Sequence, residues 1–382
     1  RFRYCQQCMA GTLGQRLKSA LHERGGAAFV AASLGVGIAV GLGAALLVWL
    51  TQQLRDVAEA GMDDRTWLII AVVPIGMFVA WAIAGVAGRE IESGGVTETM
   101  VGLSLHGGYL PSRTILGKIA ATAATLGGFG SGGREGPIVM IGGTIGSSLA
   151  RHTRFGEDQI RGLVAAGAGA GIGATFGAPI AGMLFAMEVL LGNFAIRHLN
   201  AVVVASVAAA VTTRSIVGEE QLLSAPPHSL GHPAELILYG AVGLLALGFA
   251  YLFLRTLDGL LVQSGRLRQL PGWVRPVAGG LMVGAVGLWQ IDAIGTGQDF
   301  VSSLLSLRAD NDVLWSTLLL LALLKIITNS ITRAAGGSVG TMMPSLFVGA
   351  TTAAAFANIV EPVWTLSDID PGALAVVGMA AT

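Results

Sequence analysis

Gly130-Ser131-Gly132-Gly133-Arg134-Glu135-Gly136-Pro137 is a polar, turn-forming stretch inside a chain that otherwise reads as membrane. An apolar segment precedes it (Ile119–Gly133) and another follows it (Gly136–Ala150), each only 15 residues long. A helix needs roughly 20 residues to cross the hydrocarbon. Glycine-interrupted segments of about half that length point to a binding site near the bilayer midplane. A carboxylate beside a helix-opening Gly-Pro at that depth is costly, and an intramembrane acid is a functional group by default. Glu135 is therefore the leading functional residue.

The rest of the chain supports the membrane reading. Its 382 residues are 53% hydrophobic and 12% charged, with a mean hydropathy of +0.69. Soluble domains carry about a quarter charged residues. Uncharged runs at Ala27–Leu54, Thr66–Gly88, Gly162–Met187, Leu236–Leu254 and Ala334–Val360 are near or above spanning length. Their continuity predicts helices, because barrel strands would alternate. The fold class is thus an all-α integral membrane protein of about fifteen helices, several tilted or half-penetrating. Formal net charge is zero, which gives no support to nucleic acid as a partner. Basic residues crowd the N-terminus (Arg1, Arg3, Arg16, Lys18, Arg24) and Arg255–Arg275, whereas Asp56, Glu59, Asp63 and Asp64 make the 55–65 connection acidic. The positive-inside tendency places the first two on the cytoplasmic side. Residues 1–25 read as a cytoplasmic amphipathic segment, because charges interrupt any signal-peptide core. Cys5 and Cys8 form a single C-x-x-C with no second pair, so no metal is expected.

Two halves are visible. Gly133-Arg134-Glu135-Gly136-Pro137 has the spacing of Gly340-Thr341-Met342-Met343-Pro344, 207 positions later. Both follow a glycine-rich approach and both open an apolar run. The polar stretch Arg214–Pro233 reads as the linker. The transmembrane domain, 26–382, divides into repeat 1 at about 26–213 and repeat 2 at about 234–382. Gly169-Ala170-Gly171-Ile172-Gly173-Ala174 imitates a dinucleotide fingerprint but lacks the preceding strand. Close helix packing through Gly167/Gly171, Gly169/Gly173 and Gly173/Gly177 is the expected role.

Glycine turns that feed helix N-termini leave backbone N–H groups free. Aligned peptide dipoles add partial positive charge there. The pair makes an anion site without a buried fixed cation, and neutral donors let the ion leave again, as conduction requires. The two G-x-x-x-P starts and Ser93-Gly94-Gly95-Val96-Thr97 supply three such turns. Glu135 would be a tethered anion at this site, competing with the permeant ion when charged and swinging away when protonated. The alternative is a plain helix cap or a partner for Arg134. Glu188 is read with equal weight as a group on an aqueous route or as a helix-end carboxylate answered by Arg197 or His198. Lys118, Arg113 and Lys325 are expected to snorkel.

These residues resemble a known family. Gly133–Pro137 is similar to the G-R-E-G-P signature of the CLC chloride channels and transporters. Gly177-Ala178-Pro179 through Glu188-Val189 looks like that family's next helix, Gly340–Phe347 like its G-x-F-x-P segment, and Ser93–Thr97 falls where the family has G-S-G-I-P. The resemblance implies two inverted-topology repeats and a homodimer with one anion pore per subunit. It also implies chloride, with no other cofactor, held by backbone N–H groups of Ser93, Gly94, Arg134, Glu135, Gly136, Thr341, Met342 and Met343. Glu135 becomes the external gate and proton acceptor, and Glu188 and Val189 lie on a candidate internal proton or water route. The departures are Gly94 for the family's serine, Thr97 for its proline, Met342 for its phenylalanine and Val189 for the internal glutamate of proton-exchanging members. Val189 favours passive, channel-like flux over chloride/proton antiport. The family's last helices and central tyrosine, which lie well past the third motif, are expected to be missing from this chain, and no nucleotide-binding module is expected. A bacterial inner membrane is the expected location. Fluoride or nitrate transport is a further alternative. An enzyme is disfavoured, because the six histidines fall at segment ends or in loops.

Overall fold

The computed structural model describes residues 2–62, 65–153, 155–192, 196–218, 223, 231–266, 271–305, 314–364, 366 and 369–382; for 2–25 and 196–197 it describes the backbone alone. The described residues form fourteen α-helices, in line with the expected number. These are α1 (Phe2–Met62), α2 (Ile69–Ala87), α3 (Val96–Leu105), α4 (Thr114–Gly127), α5 (Glu135–His152), α6 (Glu157–Phe176), α7 (Pro179–Phe185), α8 (Ile196–Val217), α9 (Glu235–Arg266), α10 (Val274–Trp289), α11 (Gln298–Leu305), α12 (Trp315–Ala334), α13 (Met342–Val360) and α14 (Pro371–Ala381). Among the described residues, six segments are long and apolar enough to cross a membrane: Gly26–Met62, Thr66–Ala87, His198–Val217, Glu235–Arg266, Trp315–Ala334 and Met342–Val360.

One uncharged run does not form a single span, and another forms its span only from Met342 onward. The Gly162–Met187 run breaks where Gly177 adopts φ +63° and Pro179 starts α7. Glycine alone takes that conformation without strain, and proline cannot continue a helix from the preceding turn. The Ala334–Val360 run breaks between α12 and α13, where Gly336 has φ +96°. Apolarity reports burial and does not report continuity. The backbone of α1 runs without a break from Phe2 to Met62. The Cys5 and Cys8 side chains lie outside the described residues, as does most of the proposed linker; α8 continues four residues past Thr213.

The repeats are related by inversion. Gly272, just before α10, lies beside Trp81, and along α10 Gly280 lies beside Pro74 and Gly284 beside Ile70, so α2 and α10 run antiparallel. Gly133 and Gly340 form an isolated antiparallel bridge, with N–H···O distances of 3.0 and 2.7 Å. Such a reciprocal pair is itself a local two-fold. The helix crossings repeat as well. Gly142 of α5 faces the Gly167 carbonyl of α6, and Gly349 of α13 faces the Gly378 carbonyl of α14; a Cβ at either would overlap backbone. Gly169 meets Gly182, Gly171 meets Ile138 and Gly173 meets Ser206 in the same close manner. Small residues let membrane helices approach to backbone contact. This packing buries nearly all of α5 and centres the two G-x-x-x-P starts.

Candidate functional site

The two motifs start their helices in the same register. Arg134 caps α5 and Glu135 is its first residue; Thr341 caps α13 and Met342 is its first residue. Proline follows two residues later in each, within the first turn, where no N–H is needed. The third turn begins α3 at Gly95, whose φ is +96° and whose amide is bonded by Glu98 Oε2 at 2.9 Å. The Gly94 carbonyl faces Gly136, and Gly136 faces Gly340. Three broken helix starts therefore converge on one spot, their orphan amides and dipoles with them.

Glu135 lies at that spot and is 1% exposed. Its carboxylate folds back into space left by the missing side chain of Gly133, where any Cβ would overlap Oε2. The amides of Arg134, Glu135 itself and Met343 are its electrostatic partners, yet Oε2 is buried without a formed hydrogen bond. A carboxylate with an orphaned oxygen between two helix N-termini occupies a position suited to an anion.

The other sequence-derived residues divide into those at the cluster and those away from it. Gly94, Arg134, Gly136 and Met343 meet Glu135 or its neighbours. The Ser93 hydroxyl donates to Glu90 O at 2.7 Å, within its own turn. The Thr341 side chain lines a separate cavity of about 170 Å³ with Ser345, Phe253 and Thr382. Met342 packs its side chain against the α5–α6 core. Glu188 and Val189 are not brought to the cluster. Both are exposed, on a π-helical turn, Ala186–Leu190, that follows α7. His198 Nε2 faces Asp158 Oδ1 at 3.5 Å; the side chain of Arg197 lies outside the described residues.

The expectation of snorkelling lysines is corrected. Lys118 and Lys325 are fully buried, and each Nζ donates to two loop carbonyls. The expectation of a site without fixed cations is corrected too. The Arg333 guanidinium lies against Gly94, and Arg134 Nη2 extends to Gln298 Oε1 at 3.5 Å. Arg333, Asn329, Thr328 and Lys325 form one polar stripe on α12 at helical spacing. That stripe is the sequence signal that an average over the apolar run conceals.

Comparison with known proteins agrees with this architecture. The family model described as voltage gated chloride channel matches residues 75–382. The chloride channel protein CLC-e of Arabidopsis thaliana is 30% identical, with 92% of this chain and 54% of that protein aligned. The H(+)/Cl(-) exchange transporter ClcA of Klebsiella pneumoniae is 30% identical over 70% of this chain and 57% of its own length. The chain thus spans about half the length of these two relatives. A solved structure of a slow cyanobacterial Cl-/H+ antiporter shares the fold with a TM-score of 0.78 at 23% identity, covering 92% of this chain and 84% of that one. The match across most of the sequence, together with the inverted repeats and the converging helix starts, makes this chain a member of the CLC, or voltage gated chloride channel, family.

Proposed function

We propose that this chain carries chloride across the membrane through a path lined by the starts of α3, α5 and α13, with Glu135 as gate and proton acceptor. The observation that carries the reading is the buried Glu135 carboxylate held at two helix N-termini with an unpaired oxygen. A permeant anion and a tethered carboxylate favour the same electrostatic spot, so they exclude one another. Protonation removes the competing charge and frees the path. Backbone amides of Ser93, Gly94, Arg134, Glu135, Gly136, Thr341, Met342 and Met343 are the proposed anion ligands.

Passive, channel-like flux is the reading that Val189 favours, because an apolar side chain cannot relay protons from the internal side. Chloride/proton exchange is the second reading, supported by the names of ClcA and the cyanobacterial antiporter. The proposed assembly is a homodimer in a bacterial inner membrane. Exposed apolar residues such as Ile180, Val189, Val207 and Val211 suit burial against a second copy or lipid. Anion flux from proteoliposomes, measured with and without a proton gradient, tests the proposal. Chloride efflux is the expected result. A reversal potential indifferent to the proton gradient selects passive flux, and one displaced by it selects exchange. No chloride movement under either condition overturns the reading.

A further inference from the structure

Arg333 closes the last turn of α12, and its guanidinium fills the volume that a side chain at residue 94 would take. Any Cβ at Gly94 would overlap Nη1, so glycine there and arginine at 333 are sterically matched. The guanidinium is poorly satisfied. Nη1 makes a long contact of 3.4 Å to Val339 O, and Nε is buried with no acceptor. Among the described residues, no carboxylate lies within 4.0 Å of it.

The charged groups around it are committed elsewhere. Glu98 gives Oε2 to the Gly95 amide at 2.9 Å. Lys118 gives Nζ to Ile91 O and Ser93 O. A guanidinium left with an orphaned buried donor is costly, because its lost hydration is not replaced. A bound anion replaces it. The position suits one, since the Gly94 backbone touches Gly136 in the first turn of α5, next to Glu135.

We propose that Arg333 is a side-chain anion ligand at the Gly94 end of the path, a charged donor set where residue 94 offers no side chain. The ligand is a monovalent inorganic anion. The flat guanidinium fork pairs two parallel donors with planar oxyanions such as nitrate, whereas a halide takes a single point of contact. Arg333 therefore raises nitrate binding relative to chloride, compared with a site of backbone amides alone. This rests on the anion path proposed above.

The test is titration of the purified, detergent-solubilised full chain with sodium chloride and sodium nitrate, paired with flux in proteoliposomes. Arg333→Gln is expected to weaken binding of both anions by roughly tenfold or more, the loss of one charge-assisted interaction. Arg333→Lys is expected to retain chloride binding within a few-fold and to lose the relative preference for nitrate. The double variant Gly94→Ser with Arg333→Gln places a hydroxyl in the vacated volume. It is expected to regain part of the chloride affinity, which a purely structural role for Arg333 would not produce. Unchanged affinities in a monodisperse Arg333→Gln protein, or equal losses of both anions in Arg333→Lys, overturn the proposal. Absence of flux in the unmodified protein would instead remove the proposed function itself, so the two failures are distinguishable.

Discussion

Lys325 stands 207 positions after Lys118, the offset that separates Gly340 from Gly133, and the two lysines make the same kind of bond in the two repeats. Lys118 Nζ donates to Ile91 O at 3.0 Å and to Ser93 O at 2.6 Å. Lys325 Nζ donates to Ile294 O at 3.1 Å and to Gly295 O at 2.9 Å, and it lies 5.0 Å from the Phe347 ring centroid. Each ammonium satisfies carbonyls of the turn that leads into the short helix of its repeat, α3 or α11. Without the ammonium, Ile91 O, Ser93 O and Ile294 O would lose this donor at membrane depth, where no water replaces the lost bond, whereas Gly295 O also accepts from the Gly132 amide at 3.1 Å.

Removing either ammonium should therefore loosen its turn. Lys118→Met removes the donor to two buried carbonyls, a loss of about 2–4 kcal/mol, whereas Lys325→Met removes the donor to Ile294 O while Gly295 O keeps the Gly132 amide at 3.1 Å, a loss of about 1–3 kcal/mol. Thermal unfolding in detergent should show a lowered midpoint for both. The effect at Lys118 should extend to anion binding, because Ser93 and Gly94 belong to the candidate path. Stability equal to that of the unmodified protein would mean that these carbonyls find other donors.

A second pair obeys the same offset. Thr332 Oγ1 accepts from the Ser131 amide at 3.2 Å, and Thr125 Oγ1 accepts from the Ser338 amide at 3.3 Å. Each threonine thus holds the opposite repeat's approach loop. Thr125→Val and Thr332→Val should each cost about 1 kcal/mol, the net worth of one hydrogen bond plus part of an orphaned amide. Their symmetry requires similar losses, within a factor of two, in parallel unfolding measurements. A large effect at one and none at the other would show that the two-fold is geometric only.

Much of this was legible from the sequence. The G-x-x-x-P pair marked both helix starts, because glycine approach and first-turn proline are local signals that tertiary packing does not override. The offset of 207, applied to Lys118, Thr125, Ser131 and Gly142, would also have found Lys325, Thr332, Ser338 and Gly349. Two things were not legible. The break at Gly177 is invisible to hydropathy, since buried loops and buried helices are equally apolar. The placement of Arg333 against Gly94 joins residues 239 positions apart, and nothing local encodes it.

The gate assignment carries a pH prediction. Deprotonated Glu135 competes with the anion, so flux should rise as pH falls and the carboxylate takes up a proton. Glu135→Gln keeps size and removes the charge at every pH. Its flux should match the low-pH limit of the unmodified protein and stay level across the range in liposome assays. A pH dependence that survives the substitution would assign the proton-sensitive step to another group.

Gly133 supplies a separate test of where the carboxylate must sit. A methyl at residue 133 would overlap Glu135 Oε2 and come within 3.0 Å of Met343 Cβ. The Met343 contact is tight and requires its neighbour to give by a few tenths of an ångström, whereas the carboxylate overlap is far larger. Relief is cheapest by moving the far end of the Glu135 side chain, because the Gly133–Gly340 bridge fixes the backbone. Gly133→Ala should therefore displace the acid from the helix starts and raise flux at neutral pH, with a flatter pH profile. In a Glu135→Ala background the same methyl meets no carboxylate, so adding it should change flux little. The two substitutions are in contact and should be strongly non-additive, which a double-mutant cycle on flux measures directly. Additive effects would mean that Gly133 acts through the bridge to Gly340 and that the observed carboxylate position is not the closed one.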